Sequence, residues 1–241
     1  MNSQASSGKP YWSRNGLILG ARLALPVAPG FIAFGLAVGA TAASKGFSFA
    51  AMFLMNLFVY AGASQMVAME IWPVKMTLAG VISLALIAAT VNARMLLMGA
   101  SLRTWLGPLP WWQTYPIQHL VTDPGWLIAM RYRAEGGNDF AMFFANCVVL
   151  CLVWMSATTA GYLLGALVAN PRAIGLDLVM PIFFAVMLIP LWRAGGGMRR
   201  GIGWIVAGGV AFAVQYFVGG WWFIMAGAIA GALAEGFADE R

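Results

Sequence analysis

From Gly201 to Ala234 the chain carries no Asp, Glu, Lys or Arg, and comparable uncharged tracts recur from Leu17 onward. In hydrocarbon no water is at hand for backbone amides and carbonyls, so they must satisfy one another inside helices. At about 1.5 Å per residue, the Gly201–Ala234 tract far exceeds the roughly 30 Å core of a bilayer. It must turn, and Gly219-Gly220 is where its side chains permit that. Hydrophobic residues make up 61% of the chain and charged residues 9%, where soluble domains hold about 25% charged.

With roughly 20 to 25 residues per tilted crossing and its turn, the 241 residues read as an all-α integral membrane protein of about eight transmembrane helices. Polar punctuation sets the spans near residues 17–42, 50–71, 76–98, 111–131, 140–169, 176–192, 201–217 and 220–235. Residues 1–15 form a cytoplasmic tail, 16–236 a single polytopic domain and 237–241 a C-terminal tail, which leaves no room for a soluble domain. The first tract follows Lys9 and Arg14 as a signal peptide would. Its length, Pro26, Pro29 and the lack of a small-residue cleavage site mark it as a retained helix. The net charge of +6 comes from cations scattered singly at tract ends, which marks topology and excludes a nucleic-acid surface. With eight crossings, Lys9, Arg14, Lys75, Arg131, Arg133, Arg193, Arg199, Arg200 and Arg241 share the cytoplasmic side, against Lys45, Arg103 and Arg172 outside. Tyr11-Trp12, Trp72, Trp105, Trp111-Trp112, Trp192 and Trp221-Trp222 fall near span ends, as interfacial anchors do.

The interruptions within these spans carry the functional signal. Leu23-Ala-Leu-Pro26-Val and Leu178-Val-Met-Pro181-Ile share a pattern, each opening an apolar helix with a second proline downstream, Pro29 or Pro190. Five crossings separate them. The halves are therefore expected to be inverted repeats with helices broken at Pro26, Pro29, Gly30 and Pro181, a transporter design that binds substrate near the midplane. In the second span, Tyr60-Ala-Gly-Ala-Ser-Gln65 sets the hydrogen-bonding side chains of Tyr60, Ser64 and Gln65 around small Gly62. These either bond between helices or face a ligand. Asp123 is the most informative ionisable residue. A carboxylate inside a span faces the bundle interior and binds an ammonium or exchanges a proton, or, in Thr122-Asp123-Pro124, it caps the following half-helix. His119 lies one helical turn before it and is either a proton relay or an ordinary hydrogen-bonded residue. Arg94 either snorkels to the interface or pairs with a carboxylate, the substrate's or that of Asp123. Three G-x-x-x-G pairs, Gly35/Gly39, Gly161/Gly165 and Gly227/Gly231, read as close helix packing. Cys147 and Cys151, four apart on one helix face, read as packing rather than metal or redox chemistry.

The hexapeptide Tyr60–Gln65 resembles the signature of the AzlC family, the large subunits of branched-chain amino acid exporters. The early Pro-rich span running into Phe34-Gly35 is similar to that family as well. So are Asn92-Ala-Arg94 with the following Gly99-Ala-Ser-Leu-Arg103, and the Thr122-Asp123 pair; the likeness runs from about Gly16 to Ala234. The chain departs from the family pattern at Met95, where His or an aromatic often stands, and at Pro124, where Glu is usual. The resemblance implies a multi-pass permease of the bacterial inner membrane, working with a small AzlD-like membrane subunit. It would export branched-chain or other small hydrophobic amino acids with the proton motive force. Combined with the polar residues above, the expected substrate-binding set is Tyr60, Gly62, Ser64, Gln65, Asn92, Arg94 and Asp123, with proton coupling at Asp123 and His119. A channel and a non-transporting structural subunit are the alternatives. No Walker A loop, H-E-x-x-H or G-x-S-x-G occurs, so no enzyme, cofactor or metal site is expected.

Overall fold

A computed structural model describes residues 12–72, 75–165, 182, 201–219 and 222–239. The regular elements among them are ten α-helices: α1 (Arg14–Ala24), α2 (Ala28–Ser44), α3 (Phe49–Phe58), α4 (Gly62–Glu70), α5 (Leu78–Leu106), α6 (Trp111–His119), α7 (Asp123–Ala134), α8 (Phe140–Gly165), α9 (Ile202–Phe217) and α10 (Trp222–Asp239). Pro181, the rest of Leu178–Pro181, Pro190 and all of the expected 176–192 span except Ile182 lie outside the described residues, so the second copy of the repeat does too. The chain forms two compact units, one of Met1–Ile71 and Asn92–Val179, the other of Trp72–Val91 and Met180–Arg241. Among the described residues α5 and α8 are long and apolar enough to cross a membrane, and α1 with α2 makes a third such span, bent by 62°.

In the first unit α8 is the axis. Its glycines lie against α2 and those of α2 against it: a side chain at Gly39 would strike the Thr158 carbonyl, one at Gly161 the Leu36 backbone, and one at Gly165 Ala40. Lipid gives apolar helices no hydrophobic reason to associate, so contact at this range, with its dispersion attraction, is what binds them. The pairings Gly20 with Met142, Gly35 with Ala157 and Gly39 with Thr158 make α1–α2 and α8 parallel. Asp139 fastens their shared starting end by accepting hydrogen bonds from the Ser13 hydroxyl and, at 3.3 Å, the Ser13 amide. The bend between α1 and α2 falls at Leu25–Val27 because Pro26 and Pro29 have no N–H to give to the carbonyls of Arg22 and Leu25. Leu25 and Ala28 donate to those carbonyls instead, in tightened turns of 3.3 and 3.2 Å. Gly30, expected in the break, lies inside α2.

Two expected spans do not cross. α3 runs antiparallel to α8, with Phe49 edge-to-face against Tyr162 and Asn56 bonded to Thr158 and Trp154. The chain then reverses at Val59–Ala61. α4 sets out beside Trp154 and Phe34, which a side chain on Gly62 would strike, and ends at Glu70, paired at 3.0 Å with Lys45 at the far end of α2. The 50–71 segment is therefore a re-entrant hairpin that leaves by the face it entered. The 111–131 segment is another, from the opposite face. α6 climbs along α5 from Leu106 (Thr114 Oγ1 to its carbonyl, 3.5 Å) to Gly99, which faces Gln118. α7 descends from Arg94, paired with Asp123, past Ser101, bonded to Trp126, to Trp105, stacked near Tyr132. Hydropathy could not reveal either reversal, because a half-helix that enters and returns is as apolar as one that continues. Because α5 ends at the Ser13–Asp139 face, Arg103 joins Arg14, Arg131 and Arg133 there, not the opposite side. Trp105, expected at an interface, is 3% exposed in a core with Leu102, Phe140 and Phe143, and Arg133 lies over its ring.

In the second unit α9 and α10 form an antiparallel pair around Gly219, whose φ of +69° suits glycine. Gly227 lies against Ala207 and Ala211, and Gly231 against Gly203 and Ala207. The uncapped start of α9 is closed by Glu235, which accepts from the Gly203 amide at 3.0 Å.

Single cysteines replacing Lys45 and Glu70 should be modified by an impermeant thiol reagent from the same side of the membrane. Modification from opposite sides would restore the continuous span. Gly39→Leu, facing backbone that cannot yield, should destabilise by about 3 kcal/mol or more in thermal unfolding in detergent. Gly208→Ala, with open space around it, should be neutral or stabilising by roughly 0.5–1 kcal/mol.

Candidate functional site at the helix breaks

The three interruptions share one level of α8. Leu25–Val27 falls between the positions facing Ala145 and Ala157, and Val59–Ala61 lies beside Cys151 and Trp154. His119, ending α6, donates from Nε2 to the Leu57 carbonyl at 2.9 Å, so the tips of the two hairpins touch. That carbonyl would serve Ala61 in an unbroken helix; the break releases it and the imidazole takes it. Tyr60 makes the reversal with φ +42°, the one non-glycine positive φ among the described residues. Such a conformation costs of order 1–3 kcal/mol and is kept where surroundings enforce it.

Beneath the tip of the first hairpin lies a hydrogen-bonded cluster whose orientation follows from its donors. The indole of Trp154 can only donate, and it donates to Asn56 Oδ1 at 3.1 Å. Asn56 must then present its amide nitrogen to Thr158 Oγ1 (3.0 Å) and its oxygen also to Gln65 Nε2 (2.8 Å). Gln65 is thereby turned so that Oε1 is its free end, 1% exposed as a residue and without a protein partner. Asn56, Asn146 and Thr158 are fully buried. Sequence reasoning passed over these three and the role of Trp154; lone amides within uncharged tracts were the available signal, since buried polar groups need partners.

The expected binding residues separate into two groups. Ser64 donates to the Ala61 carbonyl at 2.9 Å and accepts from Asn92 Nδ2 at 3.1 Å, which ties α4 to α5. About half a turn further along α5, Arg94 pairs with Asp123 at 3.2 Å, both side chains being about one-third exposed (40% and 31%). Arg94 therefore does not snorkel to the interface. Thr122 caps α7 by accepting from Gly125, and Asp123 occupies the first turn, where a carboxylate suits the helix dipole. Arg94 Nε, Asn92 Oδ1 and Asn146 Oδ1 are buried without partners. The Tyr60 hydroxyl meets no oxygen or nitrogen, and its polar neighbour is Cys151. Gly62 acts sterically, admitting the edges of Trp154 and Phe34. Pro26 sits in its break, and Pro29 opens α2. Among the described residues no group of three His, Cys, Asp or Glu could hold a metal.

Asn56→Leu strands the donors of Gln65 and Trp154 and should destabilise by about 3 kcal/mol or more. Gln65→Met leaves the Trp154–Asn56 bond intact and should cost about 1 kcal/mol. Unfolding of both variants in the same detergent checks the order.

An arrangement of broken helices meeting around unpartnered polar atoms is one in which transporters hold solutes. Comparison with known proteins bears on which kind. The AzlC protein family matches residues 26–168. A membrane protein of Helicobacter pylori strain J99, described as uncharacterized, is 24% identical over 193 residues, 78% of this chain and 82% of its own length. A similarly described membrane protein of Helicobacter pylori strain 26695 is 24% identical over 165 residues, 68% of this chain and 70% of its own. No solved structure matches. The matched segment runs from the first helix break past the end of α8 and takes in Tyr60, Gln65, Asn92, Arg94, His119 and Asp123, and the chain belongs to the AzlC family.

Proposed function

We propose that this chain is a secondary transporter exporting small hydrophobic amino acids, branched-chain ones among them, across a bacterial inner membrane. It acts as the large subunit beside a small AzlD-like membrane partner and draws on the proton motive force. Family membership supports the substrate class, partner and direction. The observation that carries the reading is the Arg94–Asp123 pair at the level of the helix breaks.

An amino acid zwitterion matches that pair charge for charge. Its carboxylate takes the guanidinium, whose buried Nε has no other partner, and its ammonium takes the Asp123 carboxylate, so one ion pair becomes two. The open oxygens of Gln65 and Asn92 are further acceptors for ammonium hydrogens. The side chain is held by burial, which discriminates a methylene by only about 1–3 kcal/mol, so specificity is loose. Asp123 is also the proton carrier: protonated, it releases both Arg94 and the ammonium. His119 is committed to the Leu57 carbonyl and holds the hairpin tips together.

Efflux of leucine or valine from loaded proteoliposomes, with and without an imposed pH gradient, tests the reading. Asp123→Asn should reduce efflux to background with expression unchanged; wild-type efflux in that variant would discard the proposal. Arg94→Lys keeps the charge but loses the planar fork and should raise KM about tenfold. Tyr60→Phe should lower turnover; a loss of thermal stability alone would leave Tyr60 a packing residue.

A further inference from the structure

Between the second half of α5 and α6 lies a groove of about 460 Å³. Gly99, Ala100 and Arg103 form one wall, and Thr114, Tyr115 and Gln118 the other. One end opens at Arg103, Gly107 and Trp111, on the face where Ser13 and Asp139 meet. The other ends at Met95 and Gln118, next in the chain to Arg94 and His119. The groove thus joins one membrane face to the level of the helix breaks, a connection created by α6 climbing only to mid-depth before α7 returns.

Its lining does not suit lipid tails. The Arg103 guanidinium has no ion-pair partner among the described residues, and the Gln118 amide makes no hydrogen bond there. Facing hydrocarbon, each would go unsatisfied; facing water, neither does. At the inner end Gly99 faces the Gln118 amide directly, a Cβ there lying in ordinary contact at 3.4 Å from Oε1. We propose that this groove is a water-filled half-channel by which amino acid zwitterions reach the Arg94–Asp123 pair from the Ser13–Asp139 face. Arg103 draws the carboxylate in at the mouth, and the Gln118 amide receives it at the inner end. The passenger rests on the transport reading above; the water-filled route does not.

Single cysteines at Gln118, Glu135 and Leu97, in a background with Cys147 and Cys151 changed to alanine, test the route in sealed vesicles of both orientations. Glu135 is an exposed control at the same face, and Leu97 is a strongly exposed apolar position on α5 outside the groove. An impermeant methanethiosulfonate reacts only with a hydrated thiolate. Gln118→Cys should react from the Ser13–Asp139 face within about tenfold of the Glu135→Cys rate, and Leu97→Cys should not react. Adding Arg103→Gln should lower the ratio of anionic to cationic reagent rates at position 118 several-fold while leaving position 135 unchanged. Reaction at 118 no faster than at 97, or only from the other face, overturns the half-channel. Leucine should slow modification at 118 and not at 135. Modification that leucine leaves untouched supports the route but removes amino acids as its passengers, which would count against the transport reading. If the alanine background does not express, mass spectrometry of the peptide bearing the new cysteine gives the same rates with the native thiols present.

Discussion

A backbone carbonyl or amide set free halfway through a bilayer has no water to turn to, and leaving it unpaired costs a sizeable part of a domain's stability. This chain interrupts three helical segments at one depth and meets each obligation locally. The Leu57 carbonyl takes the His119 imidazole, and Thr122 caps the start of α7. Around Pro26 the backbone tightens into turns. Gathering the breaks at one level lets a single belt of polar side chains serve them all. The same belt presents the atoms left over, and those are the ones a solute with both charges can use.

The belt keeps its geometry because the helices behind it cannot slide. Glycines on α2 and α8 interlock at backbone contact, and any side chain there would part the helices. Against this frame Trp154 orients Asn56 and Asn56 orients Gln65, so a buried amide that could face either way has one orientation. The polar cluster and the glycine stripes are thus two parts of one device, in which close approach is what lets short side chains reach across.

The two hairpins enter from opposite faces and bring the N-termini of α4 and α7 to the same level, each with the partial positive charge of a helix start. α7 is compensated by Asp123 in its first turn, whereas α4 has no side-chain cap. Inversion therefore exists within the first unit at the scale of half-helices. It was expected at the scale of the Pro26 and Pro181 segments, of which the latter lies outside the described residues. The hairpins also move Arg103 to the face of Arg14, Arg131 and Arg133, so that cations cluster where the groove along α5 opens.

Much of this was legible in the sequence. Uncharged tracts announced helices in lipid, prolines and small residues located the Leu25–Val27 and Val59–Ala61 breaks to within a few residues, and the G-x-x-x-G pairs marked places of close helix approach. Tyr60, Gln65 and Asp123 stood out because polar atoms in such tracts need a reason. What the tertiary structure alone decided was direction and partnership: that 50–71 and 111–131 turn back, that Arg94 meets Asp123, and that Asn56 and Thr158 complete the cluster around Gln65. Hydropathy records the medium around each residue and periodicity records which face it lies on. Neither carries the angle at which a broken helix resumes, and that angle, set by packing against α2, α5 and α8, determines which distant side chains meet.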